Sequence, residues 1–166
     1  MINTRAPVMK RSSTAFLQFV IVLVGIAAAA ILLWEPHLEG RNAHATVFEV
    51  YFKDPFLAYA YVAAIPFFTA LYQTFRVLGF VGRNEVFSPA AVRALRTIKY
   101  CAIAVMCFVV GGLIFILMSN EDDKAGGIVI GIVITFAFVV VAAAAATFER
   151  VLQNAVEMKS ENDLTV

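Results

Sequence analysis

Charge is what this 166-residue chain has least of. Asp, Glu, Lys and Arg make up 15% of it, against about 25% in soluble globular domains. The 13 basic and 12 acidic residues leave a net charge of +1, which removes the broad basic field that nucleic-acid binding requires. Cysteine is scarce too. Cys101 and Cys107 fall in the same apolar run, about 240° and about 9 Å apart on a helix, so they cannot bridge each other and read as packing residues. No Gly-rich phosphate loop, HExxH or GxSxG pattern occurs. The sequence therefore supplies no catalytic residue, no cofactor motif and no recognised metal motif, and the chain reads as a non-enzyme.

What it has in abundance is hydrocarbon. Hydrophobic residues make up 61% and the mean hydropathy is +0.84. The apolar residues gather into four runs, Ala15–Trp34, Phe56–Tyr72, Tyr100–Met118 and Ala125–Phe148. About 20 apolar residues span a bilayer's hydrocarbon core as a helix. The predicted fold is all-α: a polytopic membrane protein with four transmembrane helices in an up-down bundle, at residues 15–34, 56–76, 99–118 and 125–148. The four spans leave no room for a separate soluble domain, so residues 1–166 form one membrane domain ending in a tail at 149–166. Arg5, Lys10 and Arg11 precede the first run as a signal peptide's basic region would. That run outlasts a signal core of about 7–15 residues and shows no clear cleavage site, so it reads as a retained first helix.

Lys and Arg set the expected orientation. The N-terminal segment, the second connection and the tail carry Arg5, Lys10, Arg11, Arg76, Arg83, Arg93, Arg96, Lys99, Arg150 and Lys159. The other two connections carry only Arg41, Lys53 and Lys124. Basic loops stay inside, which predicts a multi-pass protein of the cytoplasmic (plasma) membrane with both termini in the cytoplasm. In the first connection, Asp54-Pro55 reads as a helix cap, and Val47–Phe52 is aromatic enough to lie along the outer interface. His37 and His44 share that connection with Glu35 and Glu39, but a spacing of seven in a loop favours a solvated loop over a metal site. The third connection, Ser119–Lys124, reads as a tight hairpin.

At the second connection, Gly79, Gly82 and Asn84 favour a turn and Ser88-Pro89 a helix start. Val92, Leu95 and Ile98 then share one face and Arg93, Arg96 and Lys99 another, an amphipathic segment before helix 3 expected on or near the inner leaflet. Beyond Phe148, Val151, Leu152, Ala155 and Met158 keep a helical spacing, so helix 4 is expected to extend into the cytoplasm.

Two groups of residues are candidates for function. Thr69, Tyr72, Gln73 and Arg76 recur on one face of helix 2 just after Pro66. Polar groups at membrane depth can line a small-molecule or lipid pocket, although bonds to neighbouring helices and a snorkelling Arg76 account for them more simply. Gln18, near the inner end of helix 1, is expected to make a packing bond. Gly127 and Gly131 form a GxxxG step, suited to packing within the bundle or to a homo-oligomer. The exposed tail, Glu161, Asn162, Asp163, Leu164, Thr165 and Val166, is a candidate docking segment for a partner.

Two stretches carry a family resemblance. The ending Glu157-Met158-Lys159-Ser160-Glu161-Asn162-Asp163-Leu164-Thr165-Val166 resembles the close of DUF2975 proteins, small bacterial four-span membrane proteins of uncharacterised function. Phe87-Ser88-Pro89 followed by Val92-Arg93-Ala94-Leu95-Arg96-Thr97-Ile98 resembles that family's segment before its third helix, with Val86 and Ala91 where a proline and an asparagine are usual. The resemblance implies no catalytic residues. It implies a cytoplasmic partner, because members are often encoded beside a small helix-turn-helix regulator. The expectation is thus a non-enzymatic interaction or regulatory protein, with no direct nucleic-acid contact. The alternatives are a small transporter or permeation subunit using the polar face of helix 2, and a lipid-handling protein or enzyme.

Overall fold

Apolar backbone in lipid must satisfy its own hydrogen bonds, and a single run does so only as a helix. The computed structural model describes residues 11–34, 55–118 and 124–163. Among these it has four helices: α1 (Arg11–Trp34), α2 (Pro55–Gly82), α3 (Pro89–Met118) and α4 (Ala125–Asp163). All four are long and apolar enough to cross a membrane. The fold is an all-α polytopic membrane protein. The basic N-terminal segment, the Val47–Phe52 stretch, the Asp54 cap, the His37–His44 loop and the tip of the third hairpin lie outside the described residues, as do Leu164, Thr165 and Val166.

Successive helices pack antiparallel, and α3 with α4 form the most extensive pair. The start of α1, the α2–α3 connection and the end of α4 share one end of the bundle, called here the basic end. α1 rests mainly on α2. Thr14 sits against Gly82, Gln18 against Gly79 and Gly25 against Leu71. The Gln18 amide donates to the Phe75 carbonyl at 3.3 Å, the packing bond expected of it. Gly79 and Gly82 thus lie inside α2, where their small size admits α1, and the turn comes later. It comes at Asn84, whose φ of 58° ends the helix. The Glu85 amide reaches the Phe80 carbonyl and the Asn84 amide the Val81 carbonyl, at 2.9 and 3.2 Å, which is the Schellman closure.

α3 starts where a cap is expected. The Ser88 hydroxyl accepts the Ala91 amide at 3.3 Å, and Pro89 takes the first helical position. The amphipathic segment forms the opening turns of α3, in one continuous helix with the span. Its face of Ala91, Val92, Leu95 and Ile98 is buried against Ala145 and Leu152 of α4, with Val77, Phe80, Val86 and Val156 packed around it. The reason is the length of α4. It runs past Phe148 to Asp163 and gives that face an apolar surface that a short helix would have left to lipid.

At the opposite end the helices close on small residues. Gly111 and Gly112 of α3 admit the Tyr59 ring, and a side chain on Gly111 would collide with its hydroxyl. That hydroxyl donates to the Phe108 carbonyl at 2.6 Å, while the Tyr59 and Phe108 rings meet edge to face. Gly131 is buried beneath Leu113, and Gly127 faces Ile116, so α3 occupies the GxxxG step within the chain. Tyr59→Phe removes one bond at membrane depth, and its expected cost is about 0.6–1.7 kcal/mol. Thermal inactivation in detergent would read it; an unchanged midpoint would show that the bond adds nothing.

Candidate functional site

The strongest polar arrangement among the described residues lies where α3 and α4 cross the basic end. Glu149 follows directly on the apolar run of α4, and Arg96 and Lys99 directly precede that of α3. Because the two helices are antiparallel neighbours, these run-ends meet at one depth. Arg96 Nε donates to Glu149 Oε1 at 2.7 Å, and Lys99 Nζ donates to Oε2 at 2.6 Å. Each carboxylate oxygen therefore holds its own cation. Glu149 is 5% exposed. Arg96 is half exposed and Lys99 less so, and the Lys99 ammonium also lies over the Tyr100 ring at 4.9 Å. A buried carboxylate needs partners that satisfy it fully, and these two charge-assisted bonds do so. The arrangement fixes the relative height of α3 and α4. With two cations on one carboxylate the cluster keeps a net charge of +1.

Around this clamp the surface is concave. On one side Asn84, Glu85, Phe87 and Ser88 face Ala155, Met158 and Lys159 across an open cleft of about 630 Å³. On the other a smaller recess is lined by Arg93, Arg96, Gln153 and Glu157, among others. Arg83, Arg93 and Arg150 are exposed at this end. Of the tail candidates, Glu161 is exposed on the last turns of α4, and Asn162 and Asp163 complete the helix.

The polar face of α2 is arranged differently. Thr69 donates to the carbonyl of Ile65 on its own helix at 2.8 Å, and Arg76 donates to Gln73 at 3.3 Å. The Arg76 guanidinium lies 5.9 Å from the Tyr72 ring centre and 5.8 Å from that of Phe80. These groups thus bond locally rather than to neighbouring helices. Thr69 and Tyr72 line a shallow, mainly apolar groove with Leu32, Tyr61, Ala64, Ile65 and Phe68, while Gln73 and Arg76 stand apart from it. Thr69 and Tyr72 share the groove, and Arg76 gathers Tyr72 and Gln73 into a local cluster beside it. Cys101 is half-buried and Cys107 exposed, and both are free thiols.

Comparison with known proteins agrees with this architecture. The family described as "Protein of unknown function (DUF2975)" matches residues 40–166. The chain is 44% identical over 160 residues to the "Uncharacterized membrane protein YoaS" of Bacillus subtilis (strain 168), covering 95% of this chain and 100% of that protein. No solved structure matches. With most of its length matched by the family, and a relative aligned from end to end, this chain belongs to the DUF2975 family of membrane proteins.

Proposed function

We propose that this protein is a non-enzymatic regulatory protein of the plasma membrane that holds a cytoplasmic partner at its basic end. The observation that carries the reading is the extension of α4. It continues from Glu149 to Asp163 as one helix with its apolar span. Leu152 and Val156 pack on the opening turns of α3, and Glu149 is clamped by Arg96 and Lys99. A helix braced in this way carries Glu161, Asn162 and Asp163 of the candidate tail at a fixed distance from the clamp. A tail needs no such brace to remain in solution. A docking segment does gain from it, because a pre-organised segment loses less entropy on binding. The basic residues at this end support a cytoplasmic orientation through the positive-inside rule. The partner's chemistry is that of a small soluble protein able to take an acidic helix end and the apolar residues that follow it in sequence.

The test is a crosslinking pull-down from native membranes, comparing the full chain with one truncated after Lys159. A cytoplasmic protein retained by the full chain and lost on truncation is the expected result. Identical partner sets from the two chains would remove the tail from the proposal.

A further inference from the structure

Arg76 is the only charged residue of α2, and it stands six residues inside the helix end at Gly82. It is exposed, and among the described residues its one polar partner is Gln73 Oε1. No described carboxylate meets it, in contrast to Arg96 and Lys99. Its level is set by its neighbours. Gln18, three residues into the apolar run of α1, bonds the carbonyl of Phe75. Phe80, one turn beyond Arg76, packs on the turns of α3 that precede its apolar run. Arg76 therefore lies at the border of the hydrocarbon, where headgroups begin. The Tyr72 and Phe80 rings hold its guanidinium against α2 at that level.

A groove leads from there into the span. Tyr61, Ile65, Phe68, Tyr72 and Arg76 follow at spacings of four, three, four and four, so they share one stripe of α2. The first four line the groove with Thr69 and with Leu32 of α1, around a volume of about 590 Å³. The groove presents apolar surface because its hydroxyls are turned to backbone: Thr69 donates to the Ile65 carbonyl and Tyr61 to that of Leu32. From Tyr61 to Tyr72 the helix rises about 16 Å, and one leaflet's half of the hydrocarbon core is about 15 Å. Ordinary lipid contact accounts for an exposed apolar face. It does not account for a guanidinium without a carboxylate at the headgroup end of a groove one leaflet long.

We infer that this groove holds an acyl chain of an anionic phospholipid from the leaflet at the basic end, with the lipid phosphate on Arg76. A guanidinium presents five N–H donors and takes phosphate oxygens two at a time. Gln73 gives its carbonyl oxygen to Arg76, which leaves its amide nitrogen to donate to the same headgroup. An anionic headgroup is preferred to a choline one, which would bring a second cation to a site that already has one. The inference rests on α1 and α2 and is independent of the tail's partner.

The experiment uses the full chain in nanodiscs of equal parts phosphatidylglycerol and phosphatidylcholine with matched chains. In separate samples one lipid or the other carries a diazirine midway along an acyl chain, and photoadducts are mapped by peptide mass spectrometry. The glycerol probe is expected to label residues 61–72 about fivefold more than the choline probe does, and to show no such excess at Ile130 on the open face of α4. Arg76→Gln is expected to remove the excess while labelling by the choline probe stays as in the wild type. Arg150→Gln, at another exposed arginine of the basic end, keeps it. Thr69→Trp fills the groove and removes the excess with Arg76 in place. Equal labelling by the two probes in the wild type overturns the inference. So does an excess that survives Arg76→Gln or Thr69→Trp, one lost equally in Arg150→Gln, or a fall of both probes together in Arg76→Gln.

Discussion

Replacing Arg96 and Lys99 together with methionine is expected to destabilise the protein more than replacing Glu149. The asymmetry follows from where the three groups sit. Glu149 is buried, and the two cations are its partners at 2.7 and 2.6 Å. Without them a carboxylate is left in an apolar joint, and such a stranded charge costs about 3–5 kcal/mol. With Glu149→Leu, by contrast, Arg96 already reaches solvent and Lys99 reaches it in part, so both can turn outward. The loss is smaller, and the new side chain packs beside Ala145 and Leu152. The combination Arg96→Met/Lys99→Met/Glu149→Leu is expected to recover most of the double variant's loss, because no charge remains to be satisfied. Thermal unfolding in one detergent, followed by monodispersity after heating, ranks the variants. If the double variant matches the wild type and the triple gains nothing, the clamp does not hold α3 to α4.

Gly131→Leu is expected to separate the same two helices from the other end. A β-carbon at this buried position would lie 2.5 Å from Leu113 Cδ2 and 2.9 Å from its Cγ. The branch point of Leu113, and not only its tip, would have to move, and overpacking of this kind costs about 1–3 kcal/mol. The companion change Leu113→Ala opens the space. Gly131→Leu/Leu113→Ala should therefore be more stable than Gly131→Leu alone, a coupling that a double-mutant cycle reads directly. Additive losses would mean that the two residues do not oppose each other.

Much of this architecture is legible in the sequence, for physical reasons. A charge-free run of about 20 residues has one structure available in a bilayer. Ser88-Pro89 sets its own helix start, and Gln18 in an apolar run needs a carbonyl and finds that of Phe75. Gly79 and Gly82 illustrate the limit. Next to Asn84 they read as turn residues, yet α2 runs through Gly79 and ends only at Gly82, because glycine serves close helix contact as well as turns. Arg93, Arg96 and Lys99 illustrate it again. Their spacing shows a basic face but not the acid that meets two of them from the far end of α4. One signal was available. Arg96 and Lys99 border the start of one apolar run and Glu149 the end of the next, and in an antiparallel pair those borders lie at the same depth. The spacing of Thr69, Tyr72, Gln73 and Arg76 puts them on one face, and Arg76 does meet Tyr72 and Gln73, but spacing does not give the partners of each polar group. A helix wheel fixes direction, but not whether a hydroxyl bonds back to its own helix, as Thr69 does to Ile65.

The central claim is that the basic end is where this protein works. The most direct measurement is photocrosslinking in intact cells, with p-benzoylphenylalanine placed at Asn84, Glu85 or Glu161 of the basic end, and at Ile130 or Phe136 of the exposed membrane face as controls. The account predicts an adduct with a second, cytoplasmic protein at one or more basic-end positions and at neither control. Adducts at the basic end with only lipid or another copy of this chain, or the same foreign protein captured equally at Ile130 and Phe136, would contradict it.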